Sequence, residues 1–343
     1  DSEQMKPLRR QKEMRMEETK QEIPVNTRHN RIPRNGVVRT TCAFCLQDCG
    51  VLAHMKDGNI ERITGDPQAA MNMGALCPKG WASLEYLNHP DRLRHPLMRT
   101  GGRGEGKWRE TTWDEALGTI AREMNKAKER YGPESVAWLR GAAKGIQDNV
   151  FTRLANAFGS PNITSAASIC YHPRVTAMRL TLGDFHMADY LYPPALLAVW
   201  AQNPASTSQT TYEPIKRGLA QGMRLLVIDP VETVLTKQAD MALKPRPSSD
   251  LALALGMIHV IINEKLYDET FVEKWTVGFE ELKAHVQGYP PQEVAEITWV
   301  PAESIVQAAR LYAKTRPAAV QVGNGNEAMV LSVQTQRAIY IME

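Results

Sequence analysis

ALLAVWAQNPA (195–205) and RLLVIDPVET (224–233) decide the fold of this chain. Each opens with a short apolar run, too brief for a helix and closed by loop residues, which reads as a buried strand. Between them YEPIKRGLAQG (212–222) alternates apolar and polar residues at helical spacing. Further on the pattern predicts a helix from Asp250 to Asn263, another over 302–314, and a strand, AAVQV, before Gly323-Asn324-Gly325. Strands and helices alternating in this way predict an α/β fold with a mostly parallel, doubly wound sheet. No internal repeat stands out.

Toward the N-terminus the globular pattern begins at Val37. HMKDGNIERITGD (54–66) alternates around Asp57-Gly58 and reads as a hairpin. Thr112-Trp-Asp-Glu115 is a capping box, and Leu117, Ile120, Ala121 and Met124 then recur at helical spacing. Gly132-Pro133 ends that helix; SVAWL (135–139) follows as a strand, then a glycine-bearing loop from Gly141 to Gly145. Residues 1–35 are charge-rich and read as a disordered tail or docking arm. At the other end VLSVQTQRAIYIME stops at Glu343 inside an apolar helical pattern, without cap, glycine or proline. It is either a frayed last helix or part of a longer protein, and we take the second reading.

With 343 residues the chain exceeds one ordinary domain. Its 41 basic and 38 acidic side chains leave a net charge of +3, too balanced to point to nucleic acid or an anionic membrane. No apolar run reaches membrane-spanning length. Arg9-Arg10 is followed by QKEMRMEETKQE, where an export signal requires an apolar stretch, so a cytoplasmic location is expected.

Four of the five cysteines fall in TTCAFCLQDCG (40–50) and ALCPKG (75–80), as Cys42, Cys45, Cys49 and Cys77. A large chain without a signal peptide points to metal or redox use rather than disulfides. Four such thiolates hold zinc or an iron–sulfur cluster; three close together and one single suit a four-iron cubane better than paired zinc knuckles. Lys79, just past Cys77, is a surface lysine or a charge reaching from the cluster toward a second cofactor. The fifth cysteine, Cys170 in ASICYHPR (167–174), is either an inert buried thiol or a ligand.

C-x2-C-x3-CG, CPKG and the box TTWDEAL (111–117) together resemble the N-terminal part of the dimethyl sulfoxide reductase family, molybdenum or tungsten enzymes carrying two pyranopterin guanine dinucleotides. LGMIHVIINEKLYDETFVEKWTVGFEEL (255–282) is similar to the corresponding stretch of acetylene hydratase-like members, and the Cys170 region invites comparison with formate dehydrogenase-like ones. The resemblance runs from about Val37 to the end. It implies a polar tail (1–35), a 4Fe–4S domain (36–95), the first part of a mixed α/β domain (96–166) and a Rossmann-like dinucleotide-binding domain (167–343).

By the same resemblance, Cys42, Cys45, Cys49 and Cys77 hold the 4Fe–4S cluster and Cys170 ligates Mo or W. Lys79 lies on the electron path. Trp200, Asn203 and Pro204 form the phosphate-contacting loop, Asp229, Pro230 and Thr233 the nucleoside turn, and Ser248, Ser249 and Asp250 the segment meeting the guanine edge. Two departures stand out. Acetylene hydratase has an aspartate where Leu46 stands, and formate dehydrogenases have a histidine where Tyr171 stands. His172 and Arg174 take the vacant catalytic roles here, as proton acceptor and as holder of an oxyanion or carboxylate. The expected function is two-electron oxidoreduction of a small-molecule substrate, with an electron-transfer subunit or carrier as partner. The alternatives are non-redox hydration, a split or non-catalytic subunit whose C-terminal half is a separate chain, and a zinc-stapled structural domain.

Overall fold

A computed structural model describes residues 32–141, 145–186, 189 and 192–343. The tail expected over 1–35, with Arg9-Arg10, lies outside the described residues up to position 31, as do positions 142–144 of the expected glycine loop. The chain divides into two compact units: residues up to Arg92 with Ser206–Pro214, and Leu93–Ala205 with Ile215–Glu343.

In the first unit β1 (Gly36–Thr41), β2 (Gly50–Lys56) and β3 (Asn59–Gly65) form an antiparallel sheet. The expected hairpin is β2–β3; Asp57 and Gly58 both take positive φ (52° and 87°), the conformation a tight two-residue turn requires. Cys49, Val51 and Leu76 form its small core, with Cys42 and Ile63 packed against them. Two short helices follow, α1 (Pro78–Trp81) and α2 (Ser83–Leu87).

The second unit opens with a ribbon of β4 (Leu97–Arg99) and β5 (Trp108–Glu110), then α3 (Trp113–Tyr131). Only half of the expected capping box forms. The Thr112 hydroxyl accepts from Glu115 N, but the Glu115 carboxylate turns to Arg109 and Thr111 instead of the cap backbone. Gly132 ends α3 with φ 86°, and a 3-10 turn at Pro133–Ser135 delays the next strand, so β6 is Trp138–Arg140 rather than 135–139. β6 pairs in parallel with β7 (Ile163–Ser165) across α4 (Ile146–Phe158). Trp138 packs edge-on against Phe151 and Phe158. This two-stranded layer is too narrow to cover both helices: Leu117 and Ile120, on the apolar face that helical spacing gave α3, are exposed, as are Val150 and Leu154 of α4.

After α5 (His172–Leu182) comes the main sheet. Its course is β8 (Leu196–Trp200), α6 (Pro204–Thr207), α7 (Gln209–Ala220), β9 (Arg224–Ile228), α8 (Val234–Gln238), β10 (Met241–Leu243) and α9 (Asp250–Asn263). Then come α10 (Glu269–Trp275), α11 (Phe279–His285), α12 (Pro291–Thr298), α13 (Ala302–Lys314), β11 (Ala318–Val322) and α14 (Ser332–Met342). The four strands are parallel in the order β10-β9-β8-β11. β8 is buried along its whole length, as a parallel strand covered on both faces must be, which is why its sequence is an unbroken apolar run. Among the described residues no helix is long and apolar enough to cross a membrane.

The strand order reverses between β8 and β11, so the crevice beyond their C-terminal ends is the switch point at which such sheets bind ligands. There Gly323 N–H donates to Trp200 O at 2.8 Å and Gly325 N–H to Ala201 O at 3.3 Å. Gly323 has ordinary extended geometry, yet a Cβ there would overlap the Ala201 carbonyl and stand 2.7 Å from Gln202 Cα. The requirement is purely steric. Gly323→Ala is expected to lower stability by about 2 kcal/mol or more through overpacking against backbone. Gly118→Ala, inside α3 with open space around it, should instead raise stability by about 0.5–1 kcal/mol. Denaturant midpoints of the two variants check both signs.

Candidate functional site

The cysteine loop is closed at its base where Cys42 N–H donates to Cys49 O at 2.8 Å, extending the β1–β2 ladder. Cys77 arrives from the far side as the residue capping α1, with Pro78 at the first helical position. One side chain joins the two approaches. Asn72, fully buried, accepts from Gly50 N (2.8 Å) and donates to Gly50 O (3.0 Å) and Ala75 O (2.9 Å). Gln47, inside the loop, accepts from Ser208 Oγ at 2.7 Å and from Thr210 Oγ1. Lys79 is exposed on α1, and Leu46 presents an exposed apolar side chain with no proton to exchange.

Burial first, then repulsion from Cys42, Cys45 and Cys77, pushes the Cys49 thiol up to about 11. Three sulfurs are thus close enough to act on a fourth. Among the described residues, however, no group of three or more His, Cys, Asp or Glu is gathered to hold a single ion. Four thiolates drawn from one loop and one returning segment fit a polynuclear cluster, whose iron would offset the charge with which they repel one another.

In the second unit Cys170 ends a 3-10 turn (Ala166–Ile169) immediately before α5. Asn324 Nδ2 donates to its Sγ at 3.2 Å. Arg174, one turn into α5, donates from Nη2 to Asn324 Oδ1 (3.0 Å) and from Nε to Glu327 Oε1 (2.7 Å). Burial pushes the Glu327 carboxyl up against the pull of Arg174, but a guanidinium stays charged, and contact at 2.7 Å keeps the pair ionic at neutral pH. Arg174 was expected to hold a substrate anion; two of its three nitrogens are instead engaged within the protein. His172 is exposed at the first position of α5, and Tyr171 rests on Phe185 with ring centroids 5.6 Å apart. Asn324 and Glu327 escaped sequence reasoning, although their place directly after a buried strand at a switch point was a usable signal.

The dinucleotide loops follow the strand ends. The Trp200 indole is fully buried and donates to Asp250 Oδ1 at 2.7 Å, so its side chain serves the core and leaves its backbone to the loop. Next to it Gln202 Oε1 is buried without a partner among the described groups, Asn203 is half-buried, and Pro204 begins α6. After β9, Asp229 Oδ1 accepts from Val231 N at 2.9 Å, Pro230 is exposed, and Thr233 and Thr236 cap α8 reciprocally. Ser248 has φ 68°, and the Ser249 hydroxyl donates to Arg246 O at 2.6 Å. Burial, with a smaller contribution from Asp229, raises the Asp250 carboxyl, though the Trp200 bond and its own backbone N–H hold it back. Two mutually repelling, buried acids and an orphaned amide oxygen at the sheet's C-terminal edge fit a ligand that offers N–H donors, as a guanine edge does.

Four gathered thiols and a doubly wound sheet with acidic strand ends make up a cluster-carrying α/β protein. The model of the molybdopterin oxidoreductase Fe4S4 domain matches residues 36–89, and that of molybdopterin oxidoreductase matches residues 92–342. The chain belongs to the molybdopterin oxidoreductase family, with a 4Fe–4S cluster and a Mo- or W-molybdopterin as its cofactors. It is 37% identical to acetylene hydratase of Syntrophotalea acetylenica, over 81% of this chain and 39% of that protein. To formate dehydrogenase H of Escherichia coli (strain K12) it is 32% identical, over 88% of this chain and 43% of that protein. The solved structure of acetylene hydratase from Pelobacter acetylenicus superposes with a TM-score of 0.80 at 35% identity, covering 89% of this chain and 42% of that one. The chain thus spans about two fifths of the length of these relatives.

Because Asn72 ties Gly50 N, Gly50 O and Ala75 O together, with Gly50 O also taking the Asp66 N–H, Asn72→Ala should destabilise the cluster unit by about 2 kcal/mol. Iron bound per chain should fall with it, and thermal melts beside iron analysis of the same preparation check both.

Proposed function

We propose that this chain is the cluster-bearing, N-terminal portion of a two-electron oxidoreductase acting on a small molecule. The observation that carries the reading is Cys170, a sulfur at the lip of the switch-point crevice, set by a short turn and met by an amide donor. In this reading Cys170 ligates Mo or W, and two molybdopterin guanine dinucleotides hold the metal, one of them along the 200–204, 229–233 and 248–250 loops. When bound, this centre supplies two-electron exchange with the substrate. Cys42, Cys45, Cys49 and Cys77 would hold the cluster, which would supply one-electron exchange with a partner subunit or carrier, and Lys79, two residues past Cys77, would offset negative charge there.

The chain's own groups then divide the remaining work. His172, exposed at the start of α5, accepts or returns the substrate proton. Asp229 and Asp250 orient the guanine, and Gln202 takes an N–H of the same ligand. The second dinucleotide falls to polypeptide of the kind that makes up the rest of the relatives' length, in this protein or in a partner. The uncovered apolar positions of α3 and α4 suit contact with such a segment. A second reading, non-redox hydration of an unsaturated substrate, draws on the similarity to acetylene hydratase. Leu46, with nothing to protonate or deprotonate, counts against it.

Anaerobically purified holoprotein is expected to contain about four iron per chain together with Mo or W, and to be brown. Cys170→Ser should keep the iron and lose turnover of a viologen dye with substrate. Zinc in place of iron overturns the cluster reading. Hydration of acetylene with no net dye reduction would favour the second reading over the first.

A further inference from the structure

We infer that Asn324 is a positioning residue for the Cys170 sulfur, holding an N–H on it and so setting how strongly that sulfur donates electrons to the metal. The inference rests on the reading of Cys170 as the metal ligand. The orientation of the amide follows from chemistry. A guanidinium has only donors, so the Asn324 atom that Arg174 meets at 3.0 Å is the carbonyl oxygen, and the NH2 group is what faces Sγ at 3.2 Å.

Each link upstream is fixed in turn. Arg174 Nε is held at 2.7 Å by Glu327, whose side chain has no exposure, and Glu327 N–H donates back to Asn324 O at 3.0 Å. The residues on either side of Asn324, Gly323 and Gly325, are tied to the end of β8 through Trp200 O and Ala201 O. The donors run in one sense, Arg174 to Asn324 to Cys170, so the cation polarises the amide and strengthens its bond to sulfur. Asn324 is itself exposed and fills no core. What it contributes is the donor. A hydrogen bond to a ligating thiolate draws density from it and favours the reduced metal, so the wild-type residue raises the metal's midpoint potential.

The test is a redox titration of the Mo- or W-loaded holoenzyme, followed by electron paramagnetic resonance of the metal. Asn324→Asp keeps the shape and the contact with Arg174 but turns an oxygen on the sulfur; Asn324→Ala removes both contacts. Both variants should load metal as wild type and show a lower midpoint. The expected shift is about tenfold in the reduction equilibrium, or about 59 mV for a one-electron step, and larger for Asn324→Asp. Asn324→Gln, which retains a donor, should recover part of it. A wild-type midpoint in a loaded Asn324→Asp enzyme overturns the inference. So does lost loading in that variant with a wild-type midpoint in loaded Asn324→Ala, because Asn324 would then be structural. Cys170→Ser separates the two readings. If it changes the metal's spectrum while the Asn324 variants leave the midpoint alone, only the role of Asn324 fails; if it leaves the spectrum unchanged, Cys170 is not the ligand.

Discussion

The bond from Gly323 N–H to the Trp200 carbonyl fixes how closely the ends of β8 and β11 approach. Two strands that belong to opposite windings of the sheet meet there, and the gap between their loops is set by backbone rather than side chains. With no Cβ at Gly323, the turn that follows is lowered onto Ala201 and Gln202. That depth is what brings Asn324 to Cys170 and lets Glu327 reach Arg174 from across the fold. A wider gap would leave the sulfur without its donor and Arg174 without its anchor.

The same economy governs the other side of the sheet. Trp200 is apolar and polar at once: the indole fills the core, and its N–H fixes the Asp250 carboxylate at the first position of α9. An acid held this firmly, raised chiefly by burial and less by Asp229, is poorly matched to an apolar interior. The sheet interior and the ligand edge therefore share one hydrogen bond, and neither can be redesigned alone.

Much of this architecture was legible in the sequence. The helices Asp250–Asn263 and 302–314 and the strand 318–322 stand where periodicity placed them, because long apolar patterns and full burial leave little freedom. The cysteine spacing likewise announced its cluster. Reading failed where local rules met tertiary demands. Pro133–Ser135 took up a 3-10 turn and moved β6 along the chain; Glu115 preferred Arg109 to its cap; the apolar stripe of α3 met no second layer. Asn324 lies 154 positions from Cys170, and Asn72 looks like any turn residue until three backbone groups are seen to converge on it. Spacing along a chain carries no trace of such meetings.

Asn72 also bears on the order of assembly. A single amide fastens the backbone beside Cys49 and the backbone leading to Cys77, so the two ligand-bearing segments lock together in one motion. The fourth sulfur thus reaches the other three through the same side chain that steadies the loop's exit, so the ligand set and the local fold of this unit stand or fall on one contact.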